Sequence, residues 1–480
     1  MKRLLAITFA LILIGCGSVD EDASSAPGET TTSTTIAATT STTIAVDNTT
    51  TTTTSTLAEM TTTSTTTTLA ETTTSTTTTT EAPVVGVLTG AQRLADTDFE
   101  RFAGQRIGLI AHQNSVVDTE GGTTHLLNAI DESANVELGA LFGPEHGVRG
   151  TADAGVFLDD DIDPETGAPV FSLYGPVRQP SSSHLADIDV LFYDLQDVGT
   201  RYYTYISTMG LSMQAAAEAN IPFVVLDRPN PLSSQLGGGV LEPANTSFVG
   251  QYAIPDIYGL TAGELANYIV ANDALPGLDG LDLTVIELEG WDRSQTWEET
   301  NLEWIPPSPA ITTPDAALLY PATIYFEATN LSYGRGTEMP FQVVGAPWLD
   351  AAAAAAELNG RDLPGVSFTA TTITPDLLPG ITVEPAYLGD TLPAIQLEVT
   401  SATDIESAAV GVHLLEVIFA AASEAGVDPL SRPEWLDQLS GSTLLRAGLT
   451  GGVDAESIIA NQQSTLASVT DALVAAQLYE

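Results

Sequence analysis

The chain has 480 residues, with 14 Lys+Arg against 62 Asp+Glu, a formal net charge of −48 and 43% hydrophobic residues. That apolar fraction is enough to build a core, so wholesale disorder is excluded. The charge excludes nucleic acid as a partner, because phosphates are repelled by such a surface.

The chain begins with Lys2 and Arg3, followed by an apolar run over 4–14. The run is too short to remain as a bilayer span and fits the apolar stretch of a secretory signal. It ends in Leu13-Ile14-Gly15-Cys16, which resembles the bacterial lipobox. Cys16 is then lipidated and becomes the first residue of the mature chain, with 1–16 as the signal and an extracytoplasmic body anchored to the membrane. It is the only cysteine, so no intramolecular disulfide is expected. Residues 17–84 are threonine-rich, with no apolar period of 2 or 3.6, and read as a disordered tether.

From residue 85 onward, 12 Arg face 54 Asp+Glu and lysine is absent. The segment 85–315 predicts strands over 106–111, 136–142, 188–193, 222–226 and 283–288. Helices are predicted over 123–130 and 207–219, and a third is opened by Thr261 with Glu264 three residues on, the spacing of a capping box. Strands alternating with helices argue for α/β architecture, a doubly wound and mostly parallel sheet. No glycine-rich dinucleotide fingerprint follows the first strand, and no cofactor is expected.

Ligands of such sheets bind outside the carboxyl ends of the strands. Three predicted strands run into polar clusters there. The first is Gly143-Pro144-Glu145-His146-Gly147-Val148-Arg149-Gly150. The second spans 194–205 and carries Asp194, Gln196, Asp197, Arg201 and Tyr203. The third is Asp227-Arg228-Pro229-Asn230-Pro231. Any one of them also reads as a helix cap or loop brace, whereas three on one rim of an arginine-poor chain read as a site. The five His are scattered and no second Cys exists, so no metal site is expected. A serine nucleophile elbow is also absent.

In 316–480 an alanine run starts a helix over 351–356, and strands are predicted over 381–388 and 394–400, with Pro385 demoting the first to an edge. Further helices are predicted over 402–425 and 455–477. Trp291, Trp297 and Trp304 read as packing residues in preference to the floor of a sugar site.

Five motifs occur in order: Gly143-Pro144-Glu145-His146-Gly147; Asp194 to Tyr205 with Gln196, Asp197, Gly199, Arg201 and Tyr203; Asp227-Arg228-Pro229-Asn230-Pro231; Pro307-Ser308-Pro309; and Glu327 to Thr337 with Asn330, Gly334, Arg335 and Gly336. Together they resemble the NamZ family of exo-β-N-acetylmuramidases, formerly a domain of unknown function, from about residue 90 to 480. The resemblance implies a Rossmann-like domain paired with a smaller auxiliary α/β domain, with an active-site cleft between them. It also implies a glycoside hydrolase that removes N-acetylmuramic acid from the non-reducing ends of peptidoglycan fragments in cell-wall turnover or recycling. The chain departs from the family pattern at Gly237-Gly238-Gly239, at Tyr258 and at Ala310. A catalytically silent muropeptide-binding lipoprotein is the alternative from another class.

Glycoside hydrolysis generally uses one carboxylic acid to protonate the leaving oxygen and a second carboxylate to activate water or attack. Glu145, with His146 beside it, is expected to be the acid, and either Asp197 or Glu327 the second group. The lactyl carboxylate of muramic acid suits an arginine fork. Arg201 and Arg335 fit that role, with Tyr203 and Asn330 as contacts to hydroxyl or N-acetyl groups and Asp227, Arg228 and Asn230 on the same rim. For either arginine the alternative is an internal ion pair with Asp197 or Glu327.

Overall fold

The apolar runs pair into one seven-stranded sheet in the computed structural model, which describes residues 86–150, 156–378, 382 and 384–480. Cys16, the signal segment and the tether over 17–84 lie outside the described residues. The strands up to residue 286 are β1 (Arg106–Ala111), β2 (Val116–Thr119), β3 (Gly122–His125), β4 (Glu137–Gly143), β5 (Asp161–Ile162), β6 (Pro169–Ser172), β7 (Val190–Asp194), β8 (Phe223–Leu226) and β9 (Leu283–Ile286), of which β2 and β3 form a separate hairpin. The sheet order is β5-β6-β4-β1-β7-β8-β9. Every neighbouring pair is parallel except β5 with β6.

All residues of β7 and β8 are buried. Their sequences are therefore continuous apolar runs and do not alternate, as expected of strands covered on both faces. Strand order reverses between β1 and β7, which pair from Ile107↔Val190 to Ala111↔Asp194. The loops after β1, β4, β7 and β8 consequently share one edge.

The helix Ala262–Ala271 opens with the expected capping box: the Thr261 hydroxyl accepts from the Glu264 N–H, and the Glu264 carboxylate accepts from the Thr261 N–H at 2.9 Å. The helix expected over 123–130 begins only at Leu126 and runs Leu126–Asp131. Thr123 and Thr124 belong instead to β3, paired with β2 from Val116↔His125 to Thr119↔Gly122. β-branched threonines beside a glycine turn favour this hairpin over a helical start.

A second, antiparallel sheet holds β10 (Val343–Gly345), β11 (Val366–Ile373) and β12 (Leu392–Val399) in the order β10-β12-β11. The described residues of 381–388 carry no strand, and Tyr387 sits at φ +61°. The partner of β12 is β11, whose Val-Ser-Phe-Thr-Ala-Thr-Thr-Ile sequence has high strand propensity. The stretch predicted helical over 455–477 divides into Ala455–Leu466 and Thr470–Ala475. The helix Ser407–Ala425 is long and apolar enough to cross a membrane by length and composition, yet its Val410, Leu414, Leu415 and Ile418 are buried in the core.

One apolar cluster runs from Phe142 and Tyr193 of the first sheet through Tyr320 and Phe326 to Ile395 of the second. Both sheets lie in one compact unit. The opposite face of the parallel sheet is filled by a separate cluster that includes Leu109, Leu141, Phe192 and Val224. Each fully buried Leu, Ile or Phe contributes about 1.5–3 kcal/mol.

Candidate active site

The loop after β4 turns tightly, with the Gly147 N–H donating to the Pro144 carbonyl at 2.9 Å. His146 adopts φ +72°, a left-handed conformation that is costly for a side-chain-bearing residue and concentrates at functional positions. Both Glu145 and His146 line a cavity of about 450 Å³, together with Tyr203 from the loop after β7 and Glu327, Arg335 and Trp435 from beyond residue 316.

The Glu145 carboxylate accepts a hydrogen bond from Thr204 Oγ1 at 3.1 Å. Next to Thr204, Tyr205 donates its hydroxyl to the Pro307 carbonyl at 2.9 Å, bracing the Pro307-Ser308-Pro309 segment. The rings of Tyr203 and Tyr205 meet edge to face at 4.8 Å, and Tyr203 meets Tyr320 at 6.2 Å. Burial pushes up the proton affinity of Tyr174, and Glu145 adds to it. Tyr333 is pushed up to about 12 by burial and then by Glu327. The tyrosines around the cavity are therefore neutral donors.

Glu327 stands on the short 3-10 helix Ile324–Ala328. Trp435 Nε1 donates to its Oε2 at 3.3 Å, and the Arg335 guanidinium lies 3.6 Å from Oε1. Burial raises its proton affinity above the ordinary carboxylate range, Arg335 and then Trp435 oppose the rise, and the charge of Glu145 adds to it. The two carboxyl groups thus feel each other across the cavity. Arg335 lies 5.3 Å from the Phe341 ring centroid and 5.8 Å from that of Tyr333. Its Nε is buried with no hydrogen-bond partner among the described residues. A guanidinium with an unused donor beside two carboxyls is suited to a ligand anion.

Six of the expected site residues lie outside this cavity. Asp197 is 4% exposed. It accepts from the Tyr258 hydroxyl and from the Gly199 N–H, the latter at 2.7 Å. Burial pushes Asp197 up to about 6, against the hydrogen bond from Tyr258. Glu327, not Asp197, therefore shares the cavity with Glu145, and Tyr258, one of the departures from the family pattern, serves as the donor to Asp197.

Arg201 is fully buried and paired with Asp256, a partner that is neither of the two acids weighed from the sequence. It also donates to the Leu439 carbonyl at 2.9 Å. Asp227 accepts from Thr261 Oγ1 at 2.7 Å, the Gly263 N–H at 2.8 Å and the Tyr479 hydroxyl at 2.7 Å, so it anchors the start of a helix. Burial pushes it up to about 6. Arg228 forks onto Asp194 at 2.6 and 2.9 Å. Asn230 bridges the Leu260 carbonyl and the Leu232 N–H, both at 2.8 Å. Gly199 is required beside it, since at φ +78° an added Cβ would lie 2.2 Å from Asn230 Oδ1. Asn330 donates to the Asp428 carbonyl at 2.9 Å. The cause is common to the five residues that follow β7 and β8: a polar side chain just past a buried strand is the nearest partner for the backbone and charges of the next loop or helix.

Trp435, Tyr174 and Tyr320 line the cavity without belonging to any sequence motif. Trp435 is on the helix Pro433–Ser440, whose only signal is the proline that opens it. Trp297 packs on Trp304 at 4.7 Å and donates to the Leu302 carbonyl, as a packing residue would. Among the described residues no group of three or more His, Cys, Asp or Glu is assembled to hold a metal ion.

Two family models match the chain: exo-beta-N-acetylmuramidase NamZ, N-terminal, over residues 107–315, and exo-beta-N-acetylmuramidase NamZ, C-terminal, over residues 318–479. The peptidoglycan beta-N-acetylmuramidase NamZ of Bacillus subtilis (strain 168) is 38% identical over 384 residues, covering 79% of this chain and 88% of that protein. A crystal structure of a DUF1343 family protein from Bacteroides fragilis NCTC 9343 superposes with a TM-score of 0.75 at 34% identity, over 83% of this chain and 100% of that one. A second DUF1343 family protein from the same bacterium gives a TM-score of 0.68 at 29% identity, over 82% and 99% of the two chains.

Proposed function

The chain belongs to the exo-β-N-acetylmuramidase NamZ family, and on that premise we propose how its cavity hydrolyses the bond between a terminal N-acetylmuramic acid and the rest of a peptidoglycan fragment. The enzyme is an exo-acting glycosidase. The observation that carries its chemistry is the meeting, in one cavity, of Glu145, Glu327 and an arginine whose Nε has no partner among the described residues.

Glu145 is the general acid, its carboxyl oriented by Thr204 so that the proton reaches the leaving oxygen. Glu327 is the carboxylate on the other side of the sugar, activating water or attacking the anomeric carbon. Its raised proton affinity makes it a stronger base than an exposed glutamate. Arg335 receives the lactyl carboxylate. Sharing the guanidinium with that anion weakens its hold on Glu327 and raises the basicity of Glu327 further when substrate is bound. His146, buried beside Glu145 in the cavity lining, helps to hold the turn.

The assignment is tested with Glu145→Gln and Glu327→Gln on two muramides, one with an activated aryl leaving group and one with N-acetylglucosamine. Each variant is expected to lose about 10²–10⁴-fold in kcat on the disaccharide. The activated aryl group needs little protonation, so it should rescue Glu145→Gln and leave Glu327→Gln impaired. Rescue of the opposite variant would exchange the two roles.

We further propose that lipidated Cys16 anchors the enzyme on the extracytoplasmic face of the membrane, with the threonine-rich tether extending towards the wall. Cys16→Ala is expected to move the protein from the membrane fraction to the soluble fraction. Unchanged membrane association would count against the anchor.

A further inference from the structure

Among the described residues, nine of the twelve arginines from residue 85 onward lie within 4.0 Å of a carboxylate. The other three are Arg101, Arg178 and Arg432. In a segment with 54 Asp+Glu, an arginine with no carboxylate within that distance among the described residues is the exception that needs a reason.

Arg432 lies over the Trp435 ring at 4.8 Å, and its charge reaches Glu327, so it belongs to the Glu327 side of the cavity. Arg178 instead acts on Tyr174, whose hydroxyl is coupled first to Glu145. It lies 4.2 Å over the Phe248 ring, and its Nε donates to the Gly175 carbonyl at 3.2 Å, which holds the guanidinium in place. The Phe248 ring is 6.3 Å from Tyr174, and Tyr174 lines the cavity and feels the charge of Glu145. Phe157, 63% exposed, adds a third ring 5.8 Å from Tyr174. A ledge of aromatic rings, with a cation at its edge, thus leads outward from the acid.

We propose that this ledge is the subsite for the leaving group, in which Tyr174 and Phe248 support the departing N-acetylglucosamine and Arg178 binds the carboxylate of the next muramyl residue. The proposal rests on the glycosidase reading above: Glu145 protonates the leaving oxygen, so what lies beyond Glu145 faces the released part of the fragment. Flat apolar rings suit the faces of a neutral sugar. A guanidinium already fixed over a ring is a preorganised carboxylate receptor. A fragment that carries negative charge towards a strongly acidic protein also needs a local positive site on its approach. The enzyme accordingly favours fragments long enough to place a second muramyl carboxylate at Arg178.

The test measures kcat/KM for three substrates: a chromogenic muramide, the disaccharide of N-acetylmuramic acid and N-acetylglucosamine, and the tetrasaccharide that repeats it. Arg178→Ala is expected to lower the ratio of tetrasaccharide to disaccharide about tenfold, the scale of one charge-assisted contact. Phe248→Ala is expected to lower the ratio of disaccharide to chromogenic muramide. A fold defect depresses all three substrates together and leaves the ratios intact, so ratios unmoved in both variants overturn the subsite while the enzyme reading stands. If the wild type turns over none of the three, the glycosidase reading falls and the subsite with it.

Discussion

Glu327 is held by two groups of opposite legibility. Arg335 lies in the same glycine-punctuated segment and was read from it, whereas Trp435 comes from a helix more than a hundred residues later and no local pattern announces it. The tryptophan N–H favours the ionised carboxylate, so Trp435→Phe removes a restraint on a proton affinity that burial has already raised. A base must be deprotonated to act, and the acidic limb of the pH profile of kcat/KM is therefore expected to move to higher pH in that variant. Titration of activity on the chromogenic muramide checks this, and a limb that stays put or moves down would remove Trp435 from the role. Glu145, His146 and Tyr203 were legible because loops after parallel strands converge by topology, and Glu327 and Arg335 because they stand in the fifth of the ordered motifs. Asp197 and Arg201 were not, because type and position are the same for a catalytic acid as for a buried brace. What separates Arg201 from Arg335 is the partner that folding brings, Asp256, fifty-five residues away.

The capping box at Thr261 shows what a short motif can specify. Its hydroxyl serves two acceptor–donor roles, accepting from the Glu264 N–H at 3.2 Å and donating to Asp227 at 2.7 Å. Thr261→Ala loses the cap, about 1 kcal/mol, and leaves a buried carboxylate one donor short, about 1–3 kcal/mol more. Urea unfolding is expected to show a loss of that combined order, and a change below about 0.5 kcal/mol would mean that solvent or a neighbour replaces the hydroxyl. The long parallel strands were legible because continuous apolar runs have few other destinations. The two-residue β5 and the four-residue β6 carry too few side chains for a period to be visible. β11 was not legible for a physical reason as well: it and 381–388 are both rich in β-branched residues, and only the register with β12, from Val366↔Val399 to Ile373↔Leu392, marks it as the strand.

At the scale of the molecule, the chain changes from parallel strands to the antiparallel sheet near residue 315, while its apolar core continues through. Arg201 and Asp256 lie before that point, and Tyr325 and Leu439 lie after it. The Tyr325 hydroxyl donates to Asp256 at 2.6 Å, and Arg201 reaches the Leu439 carbonyl, so one buried charge pair ties the two parts together. Arg201→Ala strands the Asp256 carboxylate and is expected to cost about 3–5 kcal/mol. The expected result is a much lower melting temperature with KM for the muramide unchanged in the molecules that remain folded; a raised KM at an unchanged melting temperature would return Arg201 to the substrate. The pairing of arginines also sets how the molecule meets a protease. Trypsin requires lysine or arginine in an accessible stretch, the only lysine is Lys2, and most arginines of the body are held against carboxylates. Arg101, Arg178 and Arg432 are among the exposed arginines that a protease can meet on the folded molecule, whereas Arg201 and Arg228 are buried, so a cut at either requires the body to open. The order in which tryptic fragments appear is therefore a clock that separates local breathing from global unfolding.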